Sequence, residues 1–340
     1  MKRIIVLLLL AAVTLLACNA AKDIPFSLFA TKTPTPTLTP TPTPTQNPTP
    51  TPTPIVVNPG DDLAEAILHA PEGETILLSA GTYYLTEPLD IRKPIHLIGA
   101  GMYQTEIVSE TSDYVVRFSG DGPFIIEEIT FRYKGSNPAD VVIVESGEFS
   151  FSHCLFTGAI YVKGRGDHAG LFVQGNATGS VQESKAIDNR DAFGIFITGN
   201  AVVNLEANDF SGNYAGVAYY QDAMGEVQHN NFTQNDVGIV ISSRAAPIVE
   251  DNTFTYNELA CISYFEMASG AARRNQCSNS NVGILIFGQA SPILEQNECW
   301  GNRFGISIST TAHPILMNNN LHDNTSNVEY FTPLTPTPMP

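Results

Sequence analysis

The stretch LEANDFSGNYAGV, residues 205–217, is the first of six copies of one short phrase. The other copies are VQHNNFTQNDVGI (227–239), VEDNTFTYNELAC (249–261), ARRNQCSNSNVGI (272–284), LEQNECWGNRFGI (294–306) and LMNNNLHDNTSNV (316–328). The Asn at the fourth position recurs at steps of 22, 22, 23, 22 and 22 residues, and the phrase has no helical period. Such a strict period is typical of a solenoid, in which each coil buries its apolar face only against its neighbours.

Three apolar positions of the phrase predict the dry interior. Coils of a parallel β-solenoid stack about 4.8 Å apart, so equivalent residues lie over one another. The predicted columns are Leu205, Val227, Val249, Leu294 and Leu316; then Phe210, Phe232, Phe254, Cys277, Cys299 and Leu321; then Val217, Ile239, Cys261, Ile284 and Ile306.

Polar and glycine positions repeat as well. Two sets of asparagines predict amide ladders that satisfy buried turn backbone rather than bind a ligand. They are Asn208, Asn230, Asn252, Asn275, Asn297 and Asn319, and then Asn213, Asn235, Asn257, Asn302 and Asn324. The glycines Gly194, Gly216, Gly238, Gly283 and Gly305 predict a turn conformation that a side chain would resist.

Residues 61–70, well before the six copies, predict a cap for the N-terminal end of the solenoid. Asp61 or Asp62 can cap a short helix whose residues Leu63, Ala66, Ile67 and Ala70 share one face. Such a helix would cover the first coil, and strands are expected over 75–78, 83–85 and 95–98. Between 107 and 200 the coils are less regular, and residues 158–180 are the expected loop insertion.

The chain resembles the right-handed parallel β-helix proteins of the pectin-lyase-like superfamily. The resemblance rests on PEGETILLSAGTYYL (71–85) and KPIHLIGAG (93–101), and on GIVISSRAAPIVEDN (238–252), GILIFGQASPILEQN (283–297) and GISISTTAHPILMNN (305–319). The last three resemble the NosD-like, carbohydrate-binding and sugar-hydrolase repeats. The resemblance implies an all-β, single-stranded right-handed parallel β-helix over 55–330, with coils of about 22 residues and a short N-terminal capping helix.

The segments outside 55–330 predict export and tethering. Residues 1–17 have the basic start and short apolar run of a signal peptide, and LLAC at 15–18 resembles a lipobox, which implies lipidation of Cys18. Residues 18–54 then form a Thr/Pro-rich linker, and 331–340 a disordered Thr/Pro tail. The predicted location is the cell surface, with the membrane reached by the lipid anchor only.

The outward positions of the third column's strand predict an apolar stripe. By register they are Phe196, Ala218, Val240, Ile262 and Leu285, followed by Tyr220, Tyr264 and Phe287. A solvated sheet face should be polar, so either a loop or another subunit covers the stripe or it binds something. Aromatic rings suit stacking on sugars, which makes Tyr220, Tyr264 and Phe287 the candidate substrate-binding residues.

Charged residues beyond the stripe offer a catalytic candidate. Asp222, Arg244 and Glu266 are expected in one column, with the carboxylates about 9.6 Å apart, near the upper end for inverting glycosidases. The columns Glu250-Arg273-Glu295 and His229-Asp251-Arg274 repeat this alternation, as any stacked solenoid would to separate like charges. The signatures of pectin methylesterases are matched only in part, by Gly81, Tyr83 and the pair Gln221-Asp222, and those of polygalacturonases are missing, which disfavours both families.

Composition limits the partners. With 17 basic and 34 acidic residues the net charge is −17, which disfavours nucleic acid and repels anionic polysaccharides unless Ca²⁺ bridges them. Asp236 and Glu258 share a predicted column and could bind Ca²⁺, although outward carboxylates are usually solvated. No cofactor is expected otherwise, and no spacing indicates a metal site.

The cysteines leave two alternatives open. Cys277 and Cys299 are expected one above the other, within disulfide range, but both replace an apolar residue. The sequence favours free thiols. The function it favours is non-catalytic recognition of carbohydrate or another extracellular partner; the alternatives are a polysaccharide lyase or glycoside hydrolase, and a structural adhesin or spacer.

Overall fold

Three long parallel sheets form the walls of the protein. The computed structural model describes residues 54–333 except 112, 164 and 165. The predicted signal peptide, Cys18, nearly all of the linker and residues 334–340 of the tail therefore lie outside the described residues. Within the described part, no helix is long and apolar enough to cross a bilayer.

The chain visits the three sheets in turn, so that each coil adds one strand to each sheet, and the strands of each sheet pair in parallel. The first sheet has 12 strands: Ile55–Val57, Thr75–Leu78, Ile95–Ile98, Phe124–Glu127, Glu148–Ser152, Thr178–Gln182, Val202–Glu206, Glu226–Gln228, Ile248–Glu250, Ala271–Arg273, Ile293–Glu295 and Ile315–Met317. The second has 11: Gly81–Leu85, Thr105–Ser109, Thr130–Tyr133, Leu155–Thr157, Lys185–Ile187, Asp209–Ser211, Asn231–Thr233, Thr253–Thr255, Gln276–Ser278, Glu298–Trp300 and Asn320–His322. The third has 11: Leu89–Ile91, Val116–Phe118, Val142–Val144, Ala169–Val173, Phe193–Ile197, Ala215–Tyr219, Val237–Ile241, Ala260–Tyr264, Val282–Ile286, Phe304–Ser309 and Ser326–Phe331. The prediction of an all-β parallel solenoid is confirmed.

The one helix among the described residues spans Leu63–His69 and begins as predicted. Asp62 is its N-cap, and the side chain accepts a hydrogen bond from the Glu65 N–H. Leu63 and Ile67 are buried in the same core as the first strands. The Lys93 ammonium donates to the carbonyls of Leu68 and Ala70, which satisfies backbone groups at the C-terminal end of the helix.

Two of the three predicted interior columns are confirmed except in the last coil, where Leu316 and Leu321 keep the pairing but are exposed and half-buried, respectively. Phe210, Phe232 and Phe254 pair in register and stack, with ring centroids 4.7 and 4.6 Å apart. Cys277 and Cys299 continue that column and are unbonded thiols, as the sequence favoured. Phe156 likewise pairs with Phe131 and Ala186 in the irregular coils.

The third predicted column is wrong at one coil. Ile262, not Cys261, pairs with Ile239 and Ile284. The extra residue of the 23-residue step lies between Asn257 and Ala260, because Asn257 keeps its place in the ladder while Ala260 pairs with Val237. Every position between 260 and the next phrase therefore shifts by one residue relative to the prediction.

Two further expectations need correction. The insertion is confined to 158–168, because Ala169–Val173 and Thr178–Gln182 are regular strands of the third and first sheets. The glycines before the third column do not have left-handed backbone. A Cβ on Gly238 would instead lie 2.4 Å from the carbonyl oxygen of Cys261, so the close approach of the next coil requires glycine.

Both asparagine ladders form. The Asn252 amide oxygen accepts from the backbone N–H and side-chain amide of Asn230 at 2.9 and 3.0 Å, and its own amide donates to Asn275 at 3.0 Å. The second ladder runs through Asn189, Asn213, Asn235 and Asn257, and Ser280 replaces one asparagine. These amides are buried, which confirms their structural interpretation.

Candidate functional site

The outer face of the third sheet carries a second apolar cluster, separate from the interior. Its buried members are Ala169, Phe193, Phe196, Ala215, Ala218, Val237, Val240, Ala260 and Val282. Half-buried residues packed against them include Phe172, Tyr220, Phe265, Leu285 and Phe304. The predicted apolar stripe therefore exists, and we call its concave central part, with the adjoining hollow described below, the groove.

The groove crosses four coils between two raised rows of side chains. One row precedes the strands and contains Tyr214 and Leu259; the other follows them and contains Tyr220, Phe265 and Phe287. The floor is formed by outward side chains such as Val240 and Leu285. The central part encloses about 720 Å³ and is open to solvent along its length.

The row that follows the strands differs from the prediction at one coil. Tyr264 pairs with Ile241 and Ile286, is fully buried in the interior and does not reach the groove. Phe265 takes the outward place, with its ring centroid 6.1 Å from that of Phe287. The shift of one residue also sends Ile262, predicted to be outward, into the core.

A second hollow of about 640 Å³ continues the groove at its N-terminal side. It shares Tyr214 and Tyr220 with the central part, so the two are continuous. Its charged lining residues are Lys163, Asp167, Asp191 and Asp236. Burial raises the pKa of Tyr220 to about 12, with Tyr214 and the acidic groups Asp167 and Glu266 adding to the effect. We call this hollow the acidic end of the groove.

The three predicted catalytic residues do not form one column. Arg244 binds Asp222 through two hydrogen bonds of 2.8 and 2.6 Å, and the guanidinium lowers the pKa of this partly exposed carboxyl. Glu266 is shifted by one residue: it is in the position of Ser243 and accepts from the Ser242 hydroxyl at 3.2 Å. Glu266 lines the groove, whereas Asp222 and Arg244 lie beyond the aromatic row.

Sequence reasoning missed Tyr214, Ser263 and Phe265, and only the exact place of the inserted residue could have revealed the last two. Ser263 pairs with Val240 and Leu285, faces the groove and is 1% exposed. Its hydroxyl has no hydrogen-bond partner among the described residues. A buried hydroxyl without a partner is unfavourable, so this atom marks a point where a polar group of a ligand would fit.

The comparisons with known proteins identify a family. The family model described as periplasmic copper-binding protein (NosD) matches residues 152–333, more than half of the 340-residue chain. The chain belongs to the NosD family. No curated protein matches this NosD chain significantly.

Solved structures share the fold of this NosD chain at low sequence identity. The A-module of the mannuronan C-5 epimerase AlgE4 from Azotobacter vinelandii is 17% identical, with a TM-score of 0.54, over 77% of this chain and 90% of that one. The Dettilon tailspike protein is 12% identical, with a TM-score of 0.58, over 81% of this chain and 68% of that one. At these identities the likeness shows the fold alone.

Copper, named in the family description, does not fit the described residues of this NosD chain. They contain no group of three or more His, Cys, Asp or Glu side chains placed to hold a metal ion. The neighbouring thiols Cys261, Cys277 and Cys299 are deep in the interior, and burial raises the pKa of Cys277 well above its usual value. A thiol that stays protonated is a poor metal ligand.

The described residues do not form a calcium site either. Glu258 lies next to Asp236 in the same column, as predicted, because the Glu258 and Leu259 N–H groups donate to the Asn235 and Asp236 carbonyls, and its charge raises the pKa of Asp236. Ca²⁺ takes six to eight oxygen ligands, and the described carboxylates are not grouped closely enough to supply them.

Proposed function

We propose that this chain is an exported, lipid-anchored NosD-family solenoid that recognises polysaccharide through its groove without cleaving it. The observation that carries the proposal is the row Tyr220, Phe265 and Phe287 beside an apolar floor on a rigid sheet. Aromatic rings beside a channel stack on the apolar faces of sugar rings, as they do on other flat apolar groups. The word periplasmic in the family description supports export.

The dimensions of the groove suit a chain-like ligand. The coils of Tyr214 and Phe287 are three steps of the solenoid apart. The groove is therefore about 14 Å long, which is longer than one sugar ring. The groove is open rather than enclosed, so an extended polymer can enter and leave at both ends. The AlgE4 A-module has the same fold, and its name gives the polysaccharide mannuronan. This likeness supports a polysaccharide as the ligand of the groove.

The test is retention of the full-length protein on a panel of insoluble polysaccharides, with the double variant F265A/F287A. Each stacked ring contributes on the order of 1 kcal/mol, so the loss of two rings should weaken binding roughly thirtyfold. Tyr84→Ala is the matched control, because Tyr84 is an exposed aromatic of the second sheet, away from the groove. Equal retention of all three proteins would refute the groove as the binding surface, and no retention on any polysaccharide would favour a structural adhesin or spacer.

The catalytic alternative retains one observation. The Glu266 carboxylate lies in the groove beside the Ser242 hydroxyl, where it could act as an acid or base on a bound sugar. The same incubations therefore include an assay for new chain ends. New ends that disappear in Glu266→Gln would make the protein a lyase or hydrolase, whereas their absence with retained binding supports a recognition module.

A further inference from the structure

The charges of the groove differ from those elsewhere on the solenoid. On the first sheet Arg273 lies between Glu250 and Glu295, with ion-pair distances of 3.8 and 3.5 Å. Arg274 pairs with Asp251 at the turn that follows. Each of these carboxylates therefore has a cation of the neighbouring coil beside it.

Among the described residues, no such ion pair forms with the carboxylates at the acidic end of the groove. None of the ion pairs among the described residues involves Asp167, Asp191 or Asp236, and the one basic side chain lining this hollow is Lys163. Asp236 is half-buried, and burial together with the nearby Glu258 and Asp191 raises its pKa. The carboxylates of these two charged columns are thus compensated by arginines, whereas Asp167, Asp191 and Asp236 converge on one hollow of the groove without an ion pair among the described residues.

The spacing of these groups excludes a single ion as their partner. The described carboxylates are not close enough to one another to hold a metal ion, and Glu266 lies in the central part, away from Asp191 and Asp236. Negative groups distributed along a channel match a polymer that carries positive charges at intervals.

A second, independent observation indicates a polar ligand in the same groove. The Ser263 hydroxyl is buried on the floor without a partner, while Val240 and Leu285 on either side of it are apolar. A purely apolar occupant, such as a covering helix, would leave that hydroxyl unpaired. A ligand with alternating apolar faces and hydrogen-bonding groups would satisfy it.

We propose that the groove selects amino-sugar polysaccharides, whose protonated amines bind the carboxylates at its acidic end while the sugar faces stack on Tyr220, Phe265 and Phe287. This inference rests on the proposed function and adds the class of sugar. A basic peptide would share the charge, but it lacks the flat apolar faces that the aromatic row is suited to contact. Uronate polymers are excluded by repulsion from Asp191, Asp236 and Glu266.

The experiment compares soluble hexamers with one β-1,4 backbone: the glucosamine, N-acetylglucosamine and glucose hexamers. A galacturonate hexamer and hexalysine complete the set. The full-length protein is immobilised at mildly acidic pH, where the amines are protonated and ordinary carboxylates are ionised. We expect the glucosamine hexamer to bind roughly tenfold more tightly than the two neutral ones, galacturonate most weakly, and the preference to shrink with salt.

Matched variants separate charge from stacking. D191N/D236N should bring the glucosamine hexamer to the level of the neutral hexamers, whereas F265A/F287A should weaken all three. D121N/E148Q is the control, because both carboxylates are exposed and lie in other coils, away from the groove. The comparison of hexamers on the unmodified protein stands even if a variant does not fold.

The outcomes are distinct for the two proposals. Equal binding of charged and neutral hexamers, or preference for galacturonate, overturns the amino-sugar inference and leaves polysaccharide recognition intact. Binding of hexalysine alone overturns both in favour of a peptide partner. Failure of every sugar to bind refutes the proposed function itself.

Discussion

Tyr219 and Tyr264 lie in the same interior column, two coils apart, with Ile241 between them, yet only one has a hydrogen bond. The Tyr219 hydroxyl donates to the carbonyl of Val203 at 2.7 Å, whereas the Tyr264 hydroxyl has no partner among the described residues. Burial raises the pKa of both phenols, so both stay neutral. The same side chain is therefore satisfied in one coil and unsatisfied in the other.

This difference predicts opposite effects for the same substitution. Tyr264→Phe should raise the free energy of unfolding by about 1 kcal/mol, because it removes a buried hydroxyl without a partner. Tyr219→Phe should lower it by about 1 kcal/mol, because the Val203 carbonyl loses a donor. Urea unfolding of the two variants checks this, and a destabilised Tyr264→Phe would show that its hydroxyl is satisfied in solution.

The sequence predicts the position of a side chain correctly only where the length of the repeat is regular. Where the step is 22 residues, the position of Phe232 or Asn230 follows from that of Phe210 or Asn208, and the pairing confirms it. The phrase VEDNTFTYNELAC lacks the glycine that marks the third column, and Cys261 takes its place. Without that marker the inserted residue could not be located, and in a strand a shift of one residue reverses every side chain.

The candidate site was predicted in part for the same reason. Tyr220 and Phe287 precede and follow the shifted segment, and both line the groove as expected. Tyr264 and Glu266 lie within it, and both are displaced by one position. The acidic end could not be predicted at all, because Asp167, Asp191 and Asp236 come from three different coils, one of them enlarged by the insertion at 158–168.

The buried asparagine ladder should be essential for the stability of the coils that it joins. Asn252→Ala removes an acceptor for two Asn230 groups and a donor to the Val227 carbonyl at 2.7 Å. Buried polar groups left without partners cost about 1 to 3 kcal/mol each, so the coils around Asn252 should open more readily. Amide hydrogen exchange measures this coil by coil, which suits a repeat protein whose unfolding need not be all-or-none.

Asn231→Ala is the control for that experiment. Asn231 is exposed on the second sheet, and its amide donates only to the Asp209 carboxylate at 3.1 Å. The free energy of local opening, calculated from the exchange rates, should then change by less than about 0.5 kcal/mol. Equal loss of protection in both variants would contradict a special role for the buried ladder.

The four described cysteines should be unreactive in the folded protein. All are buried, and burial raises the pKa of Cys154 to about 12, so the reactive thiolate is nearly absent. In a Cys18→Ser background, a thiol reagent should modify none of them until denaturant is added, and then all four. An intact mass two units lower under non-reducing conditions would instead reveal a disulfide, with Cys277 and Cys299 as the neighbouring pair.

The ion pair between Asp90 and Arg117 should stabilise the first coils in a pH-dependent way. Arg117 donates two hydrogen bonds of 2.9 Å to Asp90, and Tyr114 donates a third of 2.8 Å. The Arg117 hydrogen bonds lower the pKa of Asp90 in the folded state. The ion pair of Asp90 therefore contributes fully to the free energy of unfolding above the unfolded pKa of about 3.9. This contribution is lost as the pH falls through the lower pKa of the folded state.

Asp90→Asn should accordingly lower the free energy of unfolding by roughly 1 kcal/mol at neutral pH, and the deficit should vanish at a pH below the folded pKa of Asp90. Asp121→Asn, which changes an exposed carboxylate on another loop, should follow the unmodified protein at every pH. Urea unfolding across the acidic range gives both curves. A deficit of equal size at all pH values would mean that Asn disturbs the packing against Tyr114 and Arg117, and that the charge of Asp90 contributes nothing.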